Sequence, residues 1–209
     1  RSTRVSRRQR QMCIRDSLVS VHAGVRERES HAQLQDHAYE LSTTLVRNED
    51  HLIPLHLDSD ERIVVVSPQR NTISMVEDRY YSDDVLAGIL EQYHTPIKIL
   101  PIALSTVEDG YKELLQTTSA SDIFIVATVN AHLDEQQAEL VRYLISSGRR
   151  IIVIAMRNPY DLLAFPDLRT YLATYEYTRP ALVAAVRVLF GKRKARGHLP
   201  VSMPFELLS

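Results

Sequence analysis

The side chains of this 209-residue chain that could do chemistry are scattered, apart from one tight run, "MRNPYDL" at 156–162, which follows the apolar stretch "IIVIA". Arg157 offers a planar, multi-donor guanidinium suited to a carboxylate or a sugar hydroxyl. Asn158, Tyr160 and Asp161 add an amide, a phenol and a carboxylate within five residues. Read locally, much of this run is structural. Pro159 fixes its own φ and biases Asn158 toward an extended backbone, Asp161 can cap the turn that follows, and Tyr160 and Leu162 are expected to anchor the loop. Arg157, first out of the preceding strand, is the candidate to meet a ligand or a partner domain, with a salt bridge inside the domain as the alternative.

The remaining reactive types do not assemble into a known site. The eight histidines, at 22, 31, 37, 51, 56, 94, 132 and 198, lack HExxH spacing or a neighbouring cysteine pair, so surface or packing roles are expected and no metal is implied. The six glycines form neither GxGxxG nor GxxxxGK beside a strand, which argues against a phosphate-cradling loop and leaves no cofactor to expect. No Gly-x-Ser-x-Gly elbow is present. Asp83 and Asp84 follow Ser82 where a helix should begin and there offset its dipole. Glu77 and Asp78 fall in a polar, loop-like stretch. Tyr171, Tyr175 and Tyr177 alternate as a sugar-stacking platform would, and equally as aromatics that fill a sheet edge.

The elements that must position these residues are legible from hydrophobic period. Strands are expected at 62–67, 97–100, 122–129 and 151–156, with a short one at 170–174. Between them, 82–93 places Val85, Leu86, Ile89, Leu90 and Tyr93 on one helical face. Ser105 to Glu108 reads as a capping box. A helix from about Asp134 to Gly148 turns Ala138, Val141, Leu144 and Ile145 inward. A last helix should start at Thr178 as its cap, with Pro180 in the first turn and Gly191 just past the end. Strands apolar throughout are buried on both faces, and burying Ile151 to Ile154 contributes about 6 to 12 kcal/mol before entropy is counted. The βαβαβαβ order therefore predicts a three-layer α/β sandwich with a mostly parallel, flavodoxin-like sheet, whose ligands gather beyond the carboxyl ends of the strands. The third strand ends in Thr128-Val129-Asn130, without the acceptor aspartate of a phosphorylation receiver.

Composition is read after one exclusion. Residues 1–17, "RSTRVSRRQRQMCIRDS", carry six arginines and one acid, and "RRQRQMCIRDS" resembles the translation of a sequencing-library adapter. This segment is expected to be a disordered tail outside the fold, with a basic arm for a polyanion as the alternative. Without it the formal charge moves from -1 to -6 and the single cysteine, Cys13, is lost. Neither a disulfide nor a thiolate site is then expected, nor a nucleic-acid partner. No run of about 18 apolar residues predicts a membrane span, and the compartment stays open between cytoplasm and the secreted or cell-surface state.

Four segments in order, "LSTTLVRNEDHLIPL" (41–55), "RIVVVSP" (62–68), "MRNPYDLLAFPDLRTYLATYEYT" (156–178) and "VRVLFGKRKARGHLPVSMP" (186–204), resemble the C-terminal domain of glycoside hydrolase family 3, most of all its β-N-acetylhexosaminidase-like branch. The resemblance spans about residues 30–204. It implies an α/β sandwich at 58–209 that packs against a separate N-terminal (β/α)8 barrel, with 18–57 a remnant helix and linker from that barrel. It also implies a parent enzyme, with a carbohydrate substrate, that hydrolyses terminal β-N-acetylglucosaminides or related β-glycosides. In this branch the nucleophilic aspartate and a histidine-aspartate acid/base pair belong to the barrel. None of the residues present matches them, so the fragment is expected to be inactive and no catalytic residue is assigned. Other branches place an acid/base in this second domain, for which Glu77, Asp78 and Asp161 are the loop acids to test. Arg157, Asn158, Tyr160 and Asp161 are the candidates for substrate binding or for the domain interface. A stand-alone binding or interaction module with the same sandwich is the rival reading.

Overall fold

The structure, a computed structural model, describes residues 25–68, 84–102 and 107–203. Two compact units divide the chain, Arg1–Gln35 and Asp36–Ser209. Of the first, the described part is the opening of helix α1 (Val25–Ser42), whose residues 29–38 are all exposed. The adapter-like tail, the Ser82 helix start, the Ser105 cap, Glu77 and Asp78 lie outside the described residues.

The second unit is built on six strands: β1 (Thr44–Asn48), β2 (Ile63–Pro68), β3 (Ile97–Ile102), β4 (Ile123–Thr128), β5 (Arg150–Ala155) and β6 (Thr170–Ala173). Their spatial order is β1-β6-β5-β4-β2-β3. All neighbours run parallel except β1, which pairs antiparallel with β6, Thr44 opposite Ala173 and Asn48 opposite Thr170. The segment expected as a linker therefore adds an edge strand, and Ile53 and Leu55 just beyond it are buried.

Side chains alternate between two buried faces along the central strands. Ile63, Val65, Ile125, Ile152 and Ile154 point to one face, where they meet helices α2 (Asp84–Leu90) and α5 (Arg179–Leu189). Val64, Val66, Phe124, Val126 and Val153 point to the other, against α3 (Val107–Gln116) and α4 (Glu135–Ser146). Both faces are covered, which is why the strands read as unbroken apolar runs. The three-layer, mostly parallel α/β sandwich is thus the observed fold.

The helix signals resolve individually. Asp134 caps α4, its carboxylate accepting from the amides of Gln136 and Gln137. Gly148 (φ 68°) and Gly191 (φ 65°) stop α4 and α5 in the left-handed backbone that glycine adopts without cost. Thr178 does stand at the start of α5, with Pro180 in the first turn, but its side chain makes no capping bond. Its hydroxyl is instead a buried group without a partner among the described residues.

Gly197 ties the two ends of the unit together. Its amide donates to the Thr43 carbonyl at 3.0 Å, and a Cβ there would stand 2.1 Å from the Ser42 carbonyl oxygen. Among the described residues no helix is long and apolar enough to cross a membrane.

Candidate functional site at the carboxyl edge of the sheet

The parallel strands follow the order β3-β2-β4-β5-β6, so the chain winds to one side after β2 and to the other from β4 onward. In such sheets the ligand crevice opens at that reversal, beyond the carboxyl ends of the two bounding strands. Here those ends are Pro68 of β2 and Thr128 of β4, with β5 next to β4.

Two short 3-10 turns form this edge. The first, Ala131–Leu133, follows Asn130, which turns the chain back with φ 53° and ψ 38°. A left-handed asparagine is tolerated where a bulkier residue would strain. The second, Pro159–Ala164, follows Asn158, which is extended at φ -129° and ψ 121° as its place before proline requires. The Asn158 side chain accepts from the Tyr160 amide at 3.0 Å.

This corrects the local reading of the loop. Asn158, not Asp161, caps the turn. Asp161 is fully buried, and its carboxylate is the hub between the two turns. One oxygen takes the Thr128 hydroxyl at 2.8 Å. The other meets His132 Nδ1 at 2.8 Å and the His132 amide at 3.4 Å. A buried carboxylate is tolerated only when its lone pairs are taken up in this way.

His132 was not singled out by sequence. Nothing local marks it, because its partner lies 29 residues away across two strands. The available signal was positional: it is the one histidine within a few residues of a predicted strand's carboxyl end. Its side chain is 20% exposed, and the Tyr160 ring stands edge-on to it, centroids 6.5 Å apart. Tyr160 is half-buried and Leu162 fully buried, so both anchor the loop. Arg157 is exposed.

Of the three alternating tyrosines, Tyr171 is core. Its ring meets Phe165 edge-on at 6.3 Å and its hydroxyl donates to the Pro159 carbonyl at 3.0 Å. Burial, and after it the charge of Asp161, push this phenol well above the ordinary tyrosine value, so it remains a donor. Tyr175 is half-buried with φ 62°, a strained backbone for an aromatic residue, and its hydroxyl donates to Thr44 Oγ1 at 2.9 Å. Tyr177 is half-buried beside it. The alternation is therefore a structural edge at 171 and 175 and not three rings on one open face. Among the described residues no group of three or more His, Cys, Asp or Glu could hold a metal ion.

The chain is thus a doubly wound α/β sandwich with an antiparallel edge strand, and a hydrogen-bonded group of Thr128, His132 and Asp161 stands at the carboxyl ends of β4 and β5. The glycosyl hydrolase family 3 C-terminal domain model matches residues 43–208, and the chain belongs to that family of glycoside hydrolase domains. Among solved structures, a fungal multi-domain family 3 β-N-acetylglucosaminidase with a GCN5-related glucosamine N-acetyltransferase region is 27% identical, with a TM-score of 0.73, covering 94% of this chain and 23% of its own. A family 3 β-N-acetylglucosaminidase from Paenibacillus sp. str. FPU-7 is also 27% identical, with a TM-score of 0.68 over 79% of this chain and 31% of its own. A β-glucoside phosphorylase, 20% identical with a TM-score of 0.59 over 85% of this chain and 32% of its own, shares the fold. The chain thus spans about a quarter to a third of the length of these proteins. No protein of curated function matches it in sequence.

Proposed function

We propose that this chain is the C-terminal part of a glycosidase that hydrolyses terminal β-N-acetylglucosaminides or closely related β-glycosides, and that it needs an N-terminal (β/α)8 catalytic domain in the same polypeptide to act. The observation that carries this reading is the 27% identity to two β-N-acetylglucosaminidases, for one of them across 94% of the chain. Residues 18–57 are then the connection from the barrel, and Arg157, Asn158 and Tyr160 lie on the edge that faces the barrel or its sugar, with Asp161 buried behind them.

The geometry also supports an inactive isolated chain. Retaining hydrolysis needs a nucleophile and a proton donor on opposite sides of one glycosidic bond, commonly carboxyls about 5 to 5.5 Å apart. Asp161 is fully buried with both oxygens hydrogen-bonded, so no sugar carbon can reach it. Its place is structural, behind the surface that a substrate could reach.

The test is turnover of p-nitrophenyl N-acetyl-β-glucosaminide by the purified chain, alone and joined to the barrel encoded upstream of it. No release of p-nitrophenol is expected from the chain alone, and release is expected from the joined protein. Purification-resistant turnover by the isolated chain would overturn the predicted division of labour. A joined protein that cleaves only other sugars would overturn the substrate.

A further inference from the structure

His132 follows the carboxyl end of β4, one of the two strands that flank the reversal of strand order, and its geometry is that of an imidazole fixed for use. A carboxylate can only accept, so the contact of 2.8 Å with Asp161 Oδ1 places a proton on Nδ1. Nε2, on the far side of the ring, makes no hydrogen bond among the described residues. The partner carboxylate is fully buried and is itself held by Thr128, while Tyr160 flanks the ring. Tautomer and ring plane are thereby both set, the arrangement that aims the second nitrogen of a histidine at a ligand.

We propose that His132 is a saccharide-binding residue, whose Nε2 hydrogen-bonds a hydroxyl or the N-acetyl group of the sugar, with Asp161 as its positioning residue. The inference rests on the reading of this chain as part of an N-acetylglucosaminidase and adds to it a residue of this domain that touches the substrate. Nε2 accepts from a hydroxyl when the ring is neutral, so the contact needs no second charged group at the edge. Leu133, the next residue of the same turn, is 79% exposed, so the turn presents an apolar side chain as well as the imidazole, as the mixed face of a pyranose requires.

The experiment is a titration of the full chain, labelled with nitrogen-15, with N-acetylglucosamine and separately with glucose, followed through its imidazole nitrogens and backbone amides. The free chain is expected to show His132 as the Nδ1-protonated tautomer. N-acetylglucosamine should then shift its Nε2 resonance saturably, and His132→Gln should weaken the sugar at least tenfold while the near-ultraviolet circular dichroism is unchanged. A response of His132 to glucose but not to N-acetylglucosamine upholds the residue's role and removes the substrate reading. Shifts at the amides of 157–161 without any at His132, or unaltered affinity in His132→Gln, overturn the proposal and leave the substrate reading standing. An Nε2-protonated ring in the free chain, or no response to either sugar, overturns the proposal outright.

Discussion

Gly197 approaches the carbonyl oxygen of Ser42 so closely that a methyl group at position 197 would stand 2.1 Å from it and 2.3 Å from the Thr44 hydroxyl oxygen. The atoms in the way are backbone and the first residue of an edge strand, so little can yield. Gly197→Ala should therefore destabilise the domain by about 1 to 3 kcal/mol or more, the range for overpacking a tight contact. Chemical denaturation followed by circular dichroism measures it. An unchanged midpoint would show that the segment 197–203 is not held against β1.

Asn158 holds the cap that local reading gives to Asp161, and Asp161 is a buried acceptor instead. Asn158→Ala removes one turn cap and should cost about 1 kcal/mol. Asp161→Ala strands the Thr128 hydroxyl and the His132 amide in buried or half-buried surroundings, and should cost more, about 2 to 5 kcal/mol. Paired urea denaturation curves decide the order. If the two variants lose equal stability, the buried hub has no special weight.

Arg157 separates surface chemistry from stability. It is exposed on the loop that follows β5. In the joined enzyme, Arg157→Ala should reduce kcat/KM about tenfold, equivalent to about 1.4 kcal/mol of transition-state stabilisation, with the Tm little moved. Full activity in a variant of lowered Tm would make this residue a strand terminus and nothing more.

Acid should unfold the domain partly through Asp122, at the opposite end of β4. Its carboxylate is 1% exposed. Burial works to raise its pKa, but the Arg62 guanidinium at 2.8 Å and the Ser119 amide at 2.8 Å more than offset this, and the net direction is downward. A carboxyl whose folded pKa lies below its unfolded value contributes stability that is full above that unfolded value, about 3.9, and is lost as pH falls through the folded one. Denaturation midpoints measured from pH 5 down to pH 2 should therefore fall less steeply for Asp122→Asn than for the natural chain. Parallel slopes would remove Asp122 from the acid response.

What could be read in advance, and what could not, divides by range. The strands at β2, β4 and β5 announce themselves because both of their faces are buried, so every position is apolar, and α4 because Asp134 and Gly148 mark its ends within its own sequence. Those are local causes. The misreading of Asp161 has a distant one. An acid two residues after proline fits a turn equally well as a cap or as a buried acceptor, and what decides between them is a histidine and a threonine delivered by another strand. Thr178 stands where a cap should, yet its buried hydroxyl makes no capping bond, which nothing in the local sequence announces. Three of the four family segments prove to be neighbours: 41–55 meets 186–204 through Gly197 and Thr43, and 156–178 through the pairing of β1 with β6.

The pairing of β1 with β6 has a consequence for how the protein is made. The first described strand of this domain has its partner almost at the domain's far end, Thr44 opposite Ala173 and Thr43 bonded to Gly197. It must wait, unpaired, while the whole parallel core is synthesised, and non-local pairing of this kind is slow to form. Any domain that precedes it on the chain has that interval to fold first, while the waiting strand's backbone groups remain open to adventitious pairing with another chain. A nascent chain halted shortly before Thr170 should thus be the stage of synthesis most prone to aggregate.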